Sequence, residues 1–106
     1  MNLDKIEKHL SRKKPIPTKQ TNAGVIWKVS KPIIEYSEDG TILYCYYGKH
    51  YLCIRYDENC VYNPYKISIE SQCVFASRQE IGVKYYEEVA PTQEDVIECI
   101  RYRLRS

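Results

Sequence analysis

Residues 41–56 read TILYCYYGKHYLCIRY: two strand-like runs with only Gly48-Lys49 between them. A Gly-X pair in that place predicts a two-residue hairpin of type II′. Its first central residue needs a positive φ, which glycine adopts without a steric penalty. Once the loop is set, so is the register. Tyr47 faces His50, Tyr46 faces Tyr51, Cys45 faces Leu52, Tyr44 faces Cys53, Leu43 faces Ile54 and Ile42 faces Arg55. Alternation then sorts the hairpin into two faces. One holds Leu43, Cys45, Tyr47, His50, Leu52 and Ile54, with an aliphatic and thiol centre that suits a core. The other holds Ile42, Tyr44, Tyr46, Tyr51, Cys53 and Arg55.

The second face is too apolar for ordinary solvent contact and too phenolic for an ordinary core. Tyrosine suits a half-wet surface, because its ring buries area while its hydroxyl keeps a polar partner. Three readings follow. A helix covers the face and the hydroxyls reach its edge. Alternatively Tyr44, Tyr46, Tyr51 and Arg55 bind a protein partner, a second copy of the chain included, since Tyr and Arg are enriched in interface cores. The third reading is a stacking platform for unpaired bases.

The flanking sequence predicts an α+β fold: an antiparallel meander of four to six strands with an N-terminal and a C-terminal helix. With 106 residues the chain is expected to form a single domain. We divide it into a basic helix and linker (1–24), a mainly antiparallel sheet (25–89) and a closing helix (91–106). In the first part Asn2 is placed as a cap. Leu3, Ile6 and Leu10 form a thin apolar stripe opposite Lys5, Lys8 and Arg12. Pro15-Ile16-Pro17 is extended, and TKQTNAG reads as a linker. VIWKVS, IIEYS and YKISIESQCVF read as strands, Cys60-Val61-Tyr62 as a short one, and residues 77–89 fit either a strand or a helix. At the end, Thr92-x-x-Asp95 resembles a capping box. Val96, Ile97, Ile100 and Leu104 give a helical stripe, and Arg101, Arg103 and Arg105 lie where the helix dipole favours cations.

Charge is unevenly placed. Residues 1–31 hold eight Lys/Arg against Asp4 and Glu7, a net +6, while residues 32–106 hold eight basic and twelve acidic side chains, a net −4. A basic head suits nucleic acid or an acidic partner. The residues expected to make that contact are Lys5, Lys8, Arg12, Lys13, Lys14, Arg101 and Arg105, which form one patch if the two termini pack side by side. The N-terminal MNLDKIEKHLSRKK carries charges where a signal peptide would be apolar, and the five cysteines are irregularly spaced. Both point to a cytoplasmic protein with reduced thiols. No run is long and apolar enough to span a bilayer, so no membrane partner is expected.

Little chemistry is legible. Cys45, His50, Cys53 and Cys60 look like a metal set, but the hairpin register puts Cys45 and Cys53 on opposite faces, so they cannot share an ion and no metal is expected. There is no P-loop, dinucleotide fingerprint or nucleophile elbow, hence no cofactor and no assigned catalytic residue. A small metal-independent RNase built on His50, Arg55, a tyrosine and the C-terminal arginines is the surviving enzyme reading. The leading expectation is a non-catalytic inhibitor or regulator that engages a nucleic-acid-processing protein or nucleoprotein. Direct nucleic-acid binding is the alternative. Usage rich in Lys, Ile, Tyr and Glu is compatible with a small gene of a phage or mobile element.

Overall fold

The structure is a computed structural model, and it describes residues 2–13, 16–19, 27–75 and 80–104; of 16–19, 27–30, 72–75 and 80–82 only the backbone course is described. In chain order the elements are α1 (Asp4–Ser11), β1 (Ile16–Lys19), β2 (Trp27–Ser30), β3 (Ile33–Tyr36), β4 (Ile42–Tyr47), β5 (His50–Tyr56), β6 (Tyr65–Phe75), β7 (Glu80–Ala90) and α2 (Gln93–Arg103). Strands β3 to β7 form an antiparallel meander in sequence order, and β1 and β2 pair separately as a two-stranded sheet. The fold is α+β, with a helix at each end of the chain.

The hairpin between β4 and β5 has the register derived from its loop, from Tyr47 opposite His50 to Ile42 opposite Arg55. Gly48 holds φ 59°, the positive value that the turn requires. Pairing then continues outward. Leu52 faces Ile69 and Ile54 faces Ile67 on β6. On β7 these meet Tyr86 and Glu88. Leu43, Cys45, Leu52, Ile54 and Ile67 are fully buried. Leu3, Ile6 and Leu10 of the α1 region and Val96, Ile100 and Leu104 of the α2 region join the same core. Both helices therefore cover one face of the sheet.

Gln93, at the start of α2, ties the helices together. Its Oε1 accepts from the backbone N–H of Lys5 at 2.9 Å and of Ile6 at 3.4 Å, and its Nε2 donates to Asp4 at 3.3 Å. These are first-turn donors that have no carbonyl partner within their own helix; Lys5 N–H also reaches the Asp4 carboxylate at 3.0 Å. The cap expected of Asn2 is thus replaced. The residue at the cap position is Leu3, whose side chain makes no capping bond and goes into the core instead. The carbonyl of Asn2 accepts from Tyr65 Oη at 2.7 Å. Lys5 Nζ meets Glu94 at 2.7 Å, and His9 feels Glu98 and Arg101 further along α2. The helices lie side by side and run in the same direction.

At α2 the local reading holds. Thr92 is the cap, its Oγ1 accepting from the N–H of Asp95 at 3.2 Å and donating to the Asp95 carboxylate at 2.9 Å. Thr92→Ala is expected to cost about 1 kcal/mol, read as a lower denaturation midpoint at unchanged slope. No loss would mean that Gln93 and core packing hold the helix end without the cap.

Three expectations are corrected or narrowed. Ile16-Pro17 is extended as expected, but with Thr18 and Lys19 of the supposed linker it forms β1, paired with Trp27–Ser30, while Pro15 and 20–26 lie outside the described residues. Cys60-Val61-Tyr62 is a bend rather than a strand. Asp57 organises it by accepting from the N–H of Asn59 at 3.0 Å, and its carbonyl accepts from the N–H of Cys60 at 3.1 Å. Side-chain and turn bonds of this kind compete with a ladder. From Glu80 the ambiguous segment 77–89 is strand, because β6 supplies a full-length partner; residues 77–79 lie outside the described residues.

Candidate functional site

With both helices on the core side, the opposite face of the five-stranded sheet is open. Its side chains follow from pairing. Ile33, Tyr46, Tyr51, Glu70 and Tyr85 form one row, and Glu35, Tyr44, Cys53, Ser68 and Glu87 form the next. Ile42, Arg55, Lys66 and Val89 form a third. Tyr46 and Tyr51 are the cross-strand pair, stacked with centroids 4.8 Å apart. Tyr44 lies parallel to Tyr51 at 6.4 Å. Tyr46 keeps 46% of its surface exposed, Tyr85 58% and Ile33 57%. No helix covers this face among the described residues.

Burial pushes the Tyr51 phenol up to about 12, with the Tyr46 hydroxyl beside it adding to the shift. Tyr51 stays a neutral donor at physiological pH. Carboxylates are interleaved with the rings: Glu35 beside Tyr44, Glu70 beside Tyr51, and Glu87, which accepts from Tyr85 Oη at 2.6 Å. Lys66 is neutralised by Glu87 at 3.1 Å. Arg55, exposed and directly opposite Lys66 in the register, enters no ion pair among the described residues. Rings between acids suit a protein partner better than a phosphate backbone, which the acids would repel.

The helix side carries the cations. Because α1 and α2 run together, their C-terminal ends meet. Lys13 and His9 both feel the charge of Arg101, and His9 feels Arg12 as well. Lys13 also lies 5.8 Å from the Tyr47 ring centroid and acts on His50. Arg12, Lys13 and Arg101 are thus brought together. Lys5 is taken up by Glu94, and Lys8 is exposed near the end of α1. Lys14 and Arg105 lie outside the described residues. The tyrosine face and the basic cluster lie on opposite sides of the sheet, joined at the β4–β5 turn, so no flat surface touches both.

Both histidines are held below their ordinary value of 6.5. Burial comes first, followed for His9 by Lys13 and Arg101 and for His50 by Lys49 and Lys13. His9 Nε2 is also buried without a hydrogen-bond partner. In the unfolded chain each takes up its proton near 6.5; in the folded chain protonation is delayed to lower pH. The stability present above that pH is therefore lost as pH falls through 6.5 toward the folded values. Thermal midpoints of the wild type should drop between pH 7.5 and 5.5, and His9→Leu should flatten the fall. A midpoint that stays constant in the wild type over this window would contradict the burial of both rings.

The RNase constellation does not converge. His50 lies on the core side with Nδ1 2.6 Å from Ser71 Oγ, while Arg55 is on the open face. Cys45 and Cys53 occupy opposite faces, and among the described residues no three His, Cys, Asp or Glu side chains group as a metal site requires. A cavity of about 560 Å³ between α2 and β7 contains Tyr86, Glu88, Cys99 and Arg103. Burial, then the Glu88 carboxylate, pushes the Cys99 thiol up; its Sγ donates to Glu88 at 3.2 Å. A protonated donor thiol is not an activated nucleophile.

The sequence reading left out the outer half of the open face, Glu70, Tyr85 and Val89, and the cation Lys84, and it set Arg103 only at the helix dipole and among the C-terminal arginines of the RNase reading. The signal for the first was the alternation KYYEEV, legible once 80–90 is known to be strand. Compared with protein-family models, with curated proteins and with solved structures, the chain matches none. What defines its class is the architecture: two parallel helices on one side of a five-stranded meander, with an open tyrosine face on the other.

Proposed function

We propose that this chain is a non-catalytic binding protein, an inhibitor or regulator that engages a protein target through the tyrosine face. The observation that carries this reading is the stacked Tyr46–Tyr51 pair on a sheet face that no helix covers among the described residues. The rings are already fixed against one another, so little side-chain entropy is lost on binding. A usual contact takes about 800 Å² from each partner, which a five-stranded face can supply. The basic cluster behind it supports placing the target among nucleic-acid-processing proteins or nucleoproteins.

The test compares wild type with the double variant Tyr46→Ala, Tyr51→Ala as immobilised bait, after nuclease treatment. Support is a stoichiometric protein captured by wild type and lost by the variant. Equal capture by both, or no capture by either, would oppose the reading. Self-association lost in the variant would assign the face to a homodimer.

A further inference from the structure

The cations of the helix side do not end at Arg101. A cavity of about 400 Å³ between the end of α2 and strands β6 and β7 is lined by Ile69, Ser71, Lys84, Tyr85, Tyr86 and Arg103. Register explains the grouping. Lys84 stands opposite Ser71, and Ser71 opposite His50, which makes Tyr47, His50, Ser71 and Lys84 the last described core-side row at the hairpin end, beyond the aliphatic core. Arg103 comes down from α2 with its guanidinium 3.5 Å from the Tyr86 ring centroid. Lys13, acting on His50 from the end of α1, links this cavity to Arg12 and Arg101.

The result is a basic ridge on the helix side: Arg12 and Lys13 at the end of α1, beside Arg101, and Lys84 and Arg103 around the cavity. Lys84 forms no ion pair among the described residues. The adjoining carboxylates are engaged locally: Glu98 with Arg101 at 3.0 Å, which takes up that charge, Glu88 with Tyr86 and Cys99, and Asp95 with Thr92. Cations this close repel one another. Lys13 is held below its ordinary value by burial and by Arg101, a cost that a bound anion would relieve. The ridge passes through several elements rather than converging on one point, so it suits a repeating anion and not a single one. An exposed aromatic ring stands beside it, Tyr102 at 67% with the Arg103 guanidinium 5.4 Å from its centroid, and a flat ring beside cations is what an unpaired base stacks on.

We propose that this ridge binds the sugar-phosphate backbone of single-stranded nucleic acid, with Lys84 and Arg103 gripping one phosphate in the cavity and Lys13 and Arg12 the next ones along. The site is separate from the tyrosine face and does not depend on it.

The test is fluorescence anisotropy of a labelled oligothymidylate of about a dozen residues, titrated with the full chain at several salt concentrations. Affinity is expected to fall with salt, and the slope to shrink by about 0.7 for each phosphate contact removed. Lys84→Ala and Lys13→Ala should each weaken binding several-fold and flatten the slope. Arg103→Lys, which keeps the charge, should bind close to wild type if Arg103→Ala weakens binding through charge rather than through loss of fold. Arg55→Ala on the opposite face and Lys5→Ala, whose charge Glu94 already neutralises, should leave binding unchanged. Absence of binding at low salt, equal binding by Lys84→Ala and Lys13→Ala, or equally strong displacement by polyglutamate at matched charge would each overturn the assignment. The double tyrosine variant should bind the oligonucleotide as wild type does, which separates this outcome from the fate of the open face.

Discussion

Leu52→Ala is expected to cost about 2–5 kcal/mol of folding stability. Leu52 is fully buried on the central strand β5, between Cys45 on β4 and Ile69 on β6, under the helices that deliver Ile6 and Ile100 to the same core. Truncation removes apolar contact and leaves a void that three paired strands cannot readily close. Domains of this size carry roughly 5–15 kcal/mol in total, so the loss is a large share of it. The comparison that makes the experiment decisive is Cys53→Ala, one residue along the same strand and on the open face. Its effect should stay within about 1 kcal/mol, because less area and no helix contact are lost. Chemical denaturation of both variants reads this directly. Similar midpoints for the two would mean that the sheet faces have been assigned the wrong way round.

The second large effect is on binding. In the double variant Tyr46→Ala, Tyr51→Ala, affinity for the captured protein should fall by about 2 kcal/mol or more, roughly thirtyfold, as expected when central aromatic anchors are truncated. Folding should suffer far less. The lost cross-strand pair contributes roughly 0.2–1 kcal/mol, and Tyr46 is already 46% exposed. The ratio of the two effects carries the argument. A structural role predicts the reverse order, with stability falling and affinity holding. Measuring the denaturation midpoint and the dissociation constant on the same preparation distinguishes them, and wild-type affinity in a destabilised variant would end the proposal for this face.

Several elements were legible because their causes are local. The hairpin register followed from two loop residues, and it was right at all six pairs. Thr92 capped α2 for reasons contained in four consecutive residues. The apolar stripes of both helices were buried as their spacing implied. Where the cause was distant, local reading went astray or fell silent. Asn2 looked like a cap, but Gln93 reaches the first-turn donors from the other end of the chain. Residues 80–90 could be either element until β6 was there to pair with them.

The candidate sites divide along the same line. Alternation alone grouped Tyr44, Tyr46, Tyr51 and Arg55 on one face, because a strand's period of two is a property of the backbone. Whether that face would be open was not a local matter. The stripes of α1 and α2 are compatible with packing on either side, and only the competition for a single continuous core placed both on the aliphatic face and left the phenolic one uncovered. The same packing joined Arg12 and Lys13 to Arg101, and set Lys84 and Arg103 around one cavity. The residues that form the basic ridge lie up to the length of the chain apart. Their meeting is a consequence of burial, which acts on the folded whole and leaves no mark in any short stretch of sequence.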